Sequence, residues 1–450
     1  MGNDPLHVII IGAGTGGMCL AHGLKRAGIR VDVYERDRER AHPLQGFRVG
    51  IGPDGSRALH DCLSPELFEI FRATCAIPMR RVNFYTEKLK EVLWMPGPEQ
   101  VDPVNSEKSV SRMTLRQVLL TDMDDVVHFD KKFTHYTKNA DGSVTAYFED
   151  GTSATGDVLV GADGTRSKVR EQYLPHAKIK DAGVLSIGAK VPLTDRVREI
   201  LPPEMLEGSS FFFAPKGMFA IIHLMEFNWD RDAKLKNNIG GNEAKLIAKW
   251  PGLMFDNTRD HLTWGLAIAT DKAPPEMANA RGKELVEIAK QITPTWSPVL
   301  HRLFEETPAD AIFLINIATS EPIPQWETTN VTLIGDAIHT MTPGQGVGAN
   351  TALRDARLLC KKLIEYRDGN IKLLDGIQEY ETKMIDYGFK AVKESLKQFG
   401  SDNPMEKPVL GRLMLGFMRT TMRLTNAIPP MKKKMAASMS TGRGANRVED

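Results

Sequence analysis

Short apolar runs alternate with helically spaced stretches over most of the chain. Residues 6–11 are apolar and stop at a glycine, which predicts a buried strand. Residues 17–27 carry helical spacing and end near Gly28, and residues 30–35 (RVDVYE) predict a second strand. Strand, helix and strand make one βαβ unit of about 30 residues. Residues 111–120 predict a helix with Leu115 and Leu119 on one face. Short strands are predicted at 126–129, 133–138, 143–148 and 158–160, with turns at Asp141-Gly142 and Asp150-Gly151. Near residue 180 the texture changes. Aromatic-rich β runs at 209–213, 219–225 and 262–269 alternate with helical stretches near 243–250 and 283–292. An apolar strand returns at 331–334, followed by helices over about 349–366 and 376–398. Met414, Met418 and Met422 recur every fourth residue and mark one face of a further helix.

This order predicts an α/β fold. A discontinuous Rossmann-like domain is expected in three pieces, 1–78, 105–180 and 321–398. A β-rich domain is inserted at 79–104 and 181–320, and residues 399–450 form a C-terminal helical tail. Residues 401–450 carry nine Lys/Arg and four Asp/Glu, so the tail is basic within a chain of net charge +1. A helix packed on the body with a solvated end is the preferred reading. Contact with a membrane surface or a hydrophobic substrate channel is the alternative.

Composition narrows the classes. A chain of 450 residues exceeds one ordinary domain, and 42% hydrophobic with 26% charged residues is ordinary for a globular protein. The near-zero net charge gives no reason to invoke nucleic acid. Cys19, Cys62, Cys75 and Cys360 lie far apart without CxxC spacing, which fits a reducing compartment and no disulfide or zinc framework. The 11 histidines form no HExxH cluster, so no metal is expected. No apolar run reaches the roughly 18–20 residues of a membrane span. Residues 8–11 are too short for a signal peptide, and Leu6 stands where myristoylation needs Ser or Thr. A cytoplasmic location is expected.

Three segments carry chemistry. Gly12, Gly14 and Gly17 fit GxGxxG between strand and helix: a tight turn, close backbone approach to a pyrophosphate, and close helix packing. Glu35 closes the second strand 18 residues beyond Gly17, where an acid can bind ribose hydroxyls. The glycines recur at Gly50, Gly52 and Gly55, but Pro53 removes an N–H and no βαβ unit follows. That segment reads as a turn into a helix from Ser56, so no second Rossmann domain is expected. The second segment, Gly161-Ala162-Asp163-Gly164, ends a strand where Rossmann-type sheets bind ligands, and Asp163 can cap the next helix. In the third, Asp336 ends a strand, and a loop with Pro343, Gly344, Gly346 and Gly348 enters a helix at Ala349, whose N-terminus can face an anion.

In this order and at these separations, the three segments resemble the single-component FAD-dependent aromatic hydroxylases. These are the para-hydroxybenzoate-hydroxylase-like monooxygenases, which include the tetracycline-inactivating enzymes. The resemblance covers residue 1 to about 398. It implies non-covalent FAD, with the pyrophosphate at Gly12, Gly14 and Gly17 and the adenosine ribose at Glu35, with Arg36 adjacent. It also implies that Arg48, Arg112 and Arg116 lie near the cofactor. Asp163 would serve both FAD and NAD(P)H, and Asp336 the ribityl or pyrophosphate region. Pro343, Gly346, Val347 and Gly348 would lie against the isoalloxazine, with Asn350 just behind. His339 reads as loop-stabilising.

The resemblance implies an NAD(P)H-dependent flavoprotein monooxygenase. NAD(P)H docks transiently and reduces FAD. Oxygen then forms a C4a-hydroperoxide that delivers one atom to an electron-rich, aromatic or phenolic small molecule. Epoxidation and Baeyer–Villiger oxidation use the same machinery and stay open. A flavin dehydrogenase or reductase and a non-catalytic flavin-binding protein are further alternatives, and the halogenase signature WxWxIP is absent. No general base is named. The substrate is expected between the flavin and the β-rich domain, with Phe211, Phe213, Phe219, His223 and Trp264 as candidate walls. Phe219, Ile221 and His223 share one strand face. Aromatic core is the preferred reading there, with His223 as the only candidate on that strand for activating a phenol.

Overall fold

The computed structural model describes residues 6–38, 47–100, 102–228, 259–398, 404–407 and 409–442. A five-stranded parallel sheet lies at its centre, in the order Val331–Leu333, Val158–Gly161, His7–Ile11, Arg30–Tyr34 and Val127–His128. Val8, Ile9 and Ile10 are fully buried, as a central parallel strand covered on both faces requires. The helix Thr15–Arg26 follows the first strand and packs on the long helix Gly348–Arg367. Its last turn carries Lys25 and Arg26, which oppose the negative end of the helix dipole.

A seven-stranded sheet forms the β-rich layer. Its order is Ile312–Ser320, Ile179–Pro192, His261–Ala269, Phe219–Met225, Gly208–Phe213, Arg81–Tyr85 and Glu91–Pro96. One face packs Ile187, Phe212, Ile222, Trp264 and Leu266 under the helices Lys283–Ile292 and Pro298–Glu305. The register places Phe313, Gly188, Gly265, Ile221, Phe211 and Phe84 in one row across the other face. The next row holds Lys190, Thr263, His223, Ser209 and Val82. A two-stranded ribbon, Arg48–Ile51 with Lys108–Ser111, connects the layers. Among the described C-terminal residues, Leu410–Ala427 and Pro429–Gly442 are helices against Glu91–Pro96.

The Rossmann-like sheet, the β-rich sheet and the C-terminal helices agree with the expected α/β class. Several elements differ from the sequence reading. The helix expected from Ser56 starts at Pro53, because proline suits the first helical turn, where its missing N–H costs nothing. The 14-residue strand Ile179–Pro192 was not foreseen, since Lys180, Asp181 and Gly183 interrupt its alternation. The strands Arg81–Tyr85, Glu91–Pro96 and Ile312–Ser320 and the helix Pro65–Ala73 were also not foreseen. The helix expected near 243–250 lies outside the described residues.

Candidate active site

The cleft begins at the carboxyl ends of the parallel strands. Gly12 has φ +109°, and a Cβ there would stand 2.5 Å from the Ala162 carbonyl oxygen. The two segments GxGxxG and Gly161–Gly164 therefore touch, and only glycine fits the contact. Gly14 begins the helix Thr15–Arg26 with no side-chain cap and no acid in the first turn, so the positive end of the dipole is open. Glu35 is buried. Its Oε2 accepts the Ala13 N–H at 2.7 Å and its Oε1 accepts the Asp37 N–H at 3.0 Å, so this acid ties the glycine loop to the second strand. Arg36 is exposed beside it. Arg116 pairs with Asp37 at 3.0 Å, and its Nε is buried without a partner.

Asp163 divides its carboxylate between two directions. Oδ2 accepts the Lys168 and Val169 N–H groups at 2.7 and 3.3 Å, capping the helix Lys168–Tyr173. Oδ1 is buried with no hydrogen-bond partner, and desolvation holds the carboxyl above its ordinary range. Asp336 follows Gly335, whose φ is +61°. Its side chain is open to solvent, yet the surrounding cleft walls raise its carboxyl by desolvation, partly offset by the charges of His339 and Arg112. Arg112 feels the same walls, and its guanidinium lies 5.2 Å from the Phe47 ring.

Pro343–Gln345 is a tight turn, and the 20-residue helix Gly348–Arg367 starts after Val347 with no side-chain cap and no acid in its first turn. Pro343 and Gly346 are exposed and Val347 and Gly348 half-buried. Asn350 points the other way. Its Oδ1 accepts the Gly52 N–H at 2.7 Å and its Nδ2 donates to the Gly50 carbonyl at 2.9 Å. It therefore clamps the helix start to the turn before Pro53. A cleft of about 260 Å³ runs past Arg48, Gly346, Val347 and Arg354. Arg48 Nε donates to Ser109 Oγ at 2.8 Å.

Phe47 carries the cleft to the β-rich sheet, because its ring also lies 5.9 Å from Phe313. Gly188 and Gly265 follow Phe313 in the row, so that Phe313, Ile221 and Phe211 are the side chains this row presents on the face. A Cβ at Gly188 would press within 2.8 Å of the Phe313 ring. Phe211, Phe213 and Phe219 are half-buried on this face, and His223 Nδ1 stands 2.7 Å from Ser209 Oγ. Trp264 is a correction. It pairs with Ile222, one residue out of phase with His223, so it faces the core, lies 4.5 Å from the Phe304 ring at a tilt and donates to Thr307 Oγ1 at 3.0 Å.

Two buried groups escaped the sequence reading. Asp355 accepts the Gly335 N–H at 2.7 Å, His339 Nε2–H at 2.6 Å and the Tyr387 hydroxyl at 2.6 Å. Arg170 donates to the carbonyls of Ala337 and Thr165 at 2.9 and 3.0 Å. The available signal for Asp355 was an acid four residues before Leu359, at the edge of an apolar helix face.

Comparison with known proteins places this geometry. A FAD binding domain model matches residues 317–395, and a NAD(P)-binding Rossmann-like domain model matches 10–73. A dual O-methyltransferase/FAD-dependent monooxygenase of Cercospora beticola is 30% identical over 396 residues, covering 85% of this chain and 44% of that protein. The chain thus spans less than half the length of that relative. A FAD-dependent monooxygenase of Emericella nidulans is 30% identical over 377 residues, covering 80% of this chain and 87% of that protein. The chain belongs to the FAD-dependent monooxygenases. The Klebsiella pneumoniae HpxO structure complexed with FAD and uric acid shares the fold at 20% identity, with a TM-score of 0.74 over 99% of this chain and 98% of that one. The cofactor of the family is FAD, and the cleft fits it. Two uncapped helix N-termini offer N–H groups to anionic or electron-rich edges, and the buried Asp163 Oδ1 lacks a partner that a ligand donor would supply.

Proposed function

We propose that this chain inserts one oxygen atom from O2 into an electron-rich, aromatic or phenolic small molecule, with NAD(P)H as reductant. The observation that supports the reading is the run of ring contacts, through Phe47, from Arg112 beside Asp336 to Phe313 on the phenylalanine-bearing face of the β-rich sheet. Residues 1–78, 105–180 and 321–398 would hold FAD, and 79–104 and 181–320 would hold the substrate. The Gly12–Gly14 backbone and the helix start at Thr15 would hold the pyrophosphate, with Glu35 and Arg36 toward the adenosine ribose. Asp163, Asp336, Arg112 and Arg116 would hold the central part, and the helix start at Gly346–Gly348 would face the ring edge that gains negative charge on reduction. Bound FAD supplies hydride acceptance and oxygen activation.

The chain's own residues then position and screen. Phe211, Phe213, Phe219 and Phe313 offer flat apolar walls that exclude water and stack a planar substrate. His223, within 2.7 Å of Ser209 Oγ, lies on this face and is the imidazole that would take a phenolic proton. The test is turnover of the FAD-loaded chain with NAD(P)H across a panel of phenols and fused-ring aromatics under ¹⁸O2. Substrate-stimulated NAD(P)H oxidation with one labelled oxygen in the product is expected. A product with unlabelled oxygen overturns the proposal.

A further inference from the structure

The tail helix Leu410–Ala427 has two unlike faces. Its inner face is fixed to the sheet. Met422 packs with Phe84, Phe211 and Phe213, and Arg419 donates to the Phe213 carbonyl at 2.6 Å and pairs with Glu87. Its outer face carries Leu413, Phe417 and Leu424 at 67%, 76% and 57% exposure. With Leu410 and Ile428, also exposed, these follow spacings of three, four, seven and four, which keeps them within one helical stripe. Outside the tail the exposed large apolar side chains among the described residues, Ile77, Trp94, Ile315 and Leu374, lie apart in the sequence, whereas here they adjoin on one helix, which marks an interaction surface.

Charge tells what covers it. Residues 409–436 hold six Lys/Arg and no Asp/Glu. Arg419 turns inward and Lys432 lies 3.2 Å from the Trp94 ring centroid, while Arg412, Arg423, Lys433 and Lys434 are exposed. On the wheel Arg412 and Arg423 sit together on one flank of the apolar stripe. Among the described residues no helix is long and apolar enough to cross a membrane. A convex apolar stripe with cationic flanks is the pattern of a helix lying in a bilayer surface. A second copy fits less well, since a two-fold contact would bring the same cations together.

We propose that this helix docks the protein on an anionic lipid bilayer, with Leu413, Phe417 and Leu424 among the acyl chains and the four outward cations at the headgroups. The helix then stands between the bilayer and the phenylalanine face, so that lipophilic substrates reach that face from the membrane. That consequence rests on the proposed aromatic substrate; the docking does not.

The test is co-sedimentation of the FAD-loaded full chain with phosphatidylcholine vesicles, with and without phosphatidylserine, at low and high salt. Binding that needs phosphatidylserine and falls at high salt is expected. Lys433→Gln with Lys434→Gln should weaken it about thirtyfold, at roughly fivefold per cation. Leu413→Glu with Phe417→Glu should abolish it, with FAD content unchanged because both residues are exposed. In Phe417→Trp, tryptophan emission should shift to the blue on vesicle addition. Equal sedimentation with and without phosphatidylserine, or binding that survives the paired Glu changes, overturns the proposal. So does a dimer in sedimentation velocity that Phe417→Glu dissolves, which would assign the stripe to a second copy. Binding to an acidic polypeptide without binding to vesicles would assign it to a protein and also overturn the proposal.

Discussion

Replacement of Asp355 probes the frame behind the cofactor loop. Its carboxylate is fully buried and accepts from Gly335, His339 and Tyr387. Asp355→Ala leaves three donors without an acceptor, and breaking a buried ionic pair costs about 3–5 kcal/mol. Asp355→Asn keeps the volume and one acceptor, so about 1–3 kcal/mol is expected from the donors left unmade. Because the Gly335 N–H fixes the residue before Asp336, both variants should also bind FAD more weakly.

The pH dependence isolates the charge. Burial lowers the His339 pKa, but the Asp355 charge and hydrogen bond and the Asp336 charge outweigh it, leaving it above its ordinary 6.5. A raised folded-state pKa gives stability that is fully present below the unfolded value near 6.5 and lost as pH rises through the folded value. Urea unfolding of wild type and Asp355→Asn should therefore differ most at and below about pH 6.5, and the gap should narrow at higher pH to the cost of the unmade hydrogen bonds. FAD affinity is read in parallel by flavin fluorescence. A stability gap that does not change with pH, or Asp355→Ala costing under about 1 kcal/mol, would refute the ionic account.

Three other substitutions have defined outcomes. Glu381 is buried against Thr328 and Thr332, and desolvation raises its carboxyl to about 6 from 4.5, so the folded wild type loses up to about 2 kcal/mol as pH climbs through that window. Glu381→Gln should show no such loss, and urea midpoints at about pH 4.5 and 7.5 decide it. Arg419→Met removes the pairing with Glu87 and the bond to the Phe213 carbonyl; it should cost about 1–3 kcal/mol and expose the tail to limited proteolysis. His223→Gln should lower product formation about tenfold to a hundredfold on a phenol while leaving the flavin spectrum and FAD affinity unchanged; equal turnover would remove His223 from the chemistry.

The elements easiest to read from the chain were those whose burial repeats with a local period. The helix expected at 283–292 spans Lys283–Ile292, and the strands Phe133–Lys138 and Phe219–Met225 stand where alternation put them. Ile179–Pro192 was hidden because it pairs with different strands on its two edges, and glycines along it serve those neighbours rather than any local pattern. The same limit applies to the cleft. GxGxxG is a local backbone requirement and is visible as letters. Asp355 and Arg170 act on Gly335 and Ala337 from other elements, and spacing along one segment carries no trace of that. Trp264 shows the parity problem, because a strand of apolar residues does not reveal which alternate set is core until its neighbour fixes the register.

The long-range clamps tie cofactor binding to the fold itself. Asn350 joins the helix start to Gly50 and Gly52 across about 300 residues, and Arg419 joins the tail to Glu87 across a similar span. The cleft at Gly346–Gly348 has the helix start on one side and the Gly50–Gly52 turn on the other, and Asn350 holds the two together. A ligand that binds this assembled state and not the unfolded chain adds about 2.7 kcal/mol of stability at a hundredfold excess over Kd. FAD should therefore raise the unfolding midpoint of wild type by a step that grows with the logarithm of its concentration. Asn350→Ala frees the Gly50–Gly52 turn without touching the glycine fingerprint, so it should shrink that step by weakening FAD binding. If Asn350→Ala lowers stability equally with and without saturating FAD, the clamp holds the fold alone and plays no part in shaping the cofactor cleft.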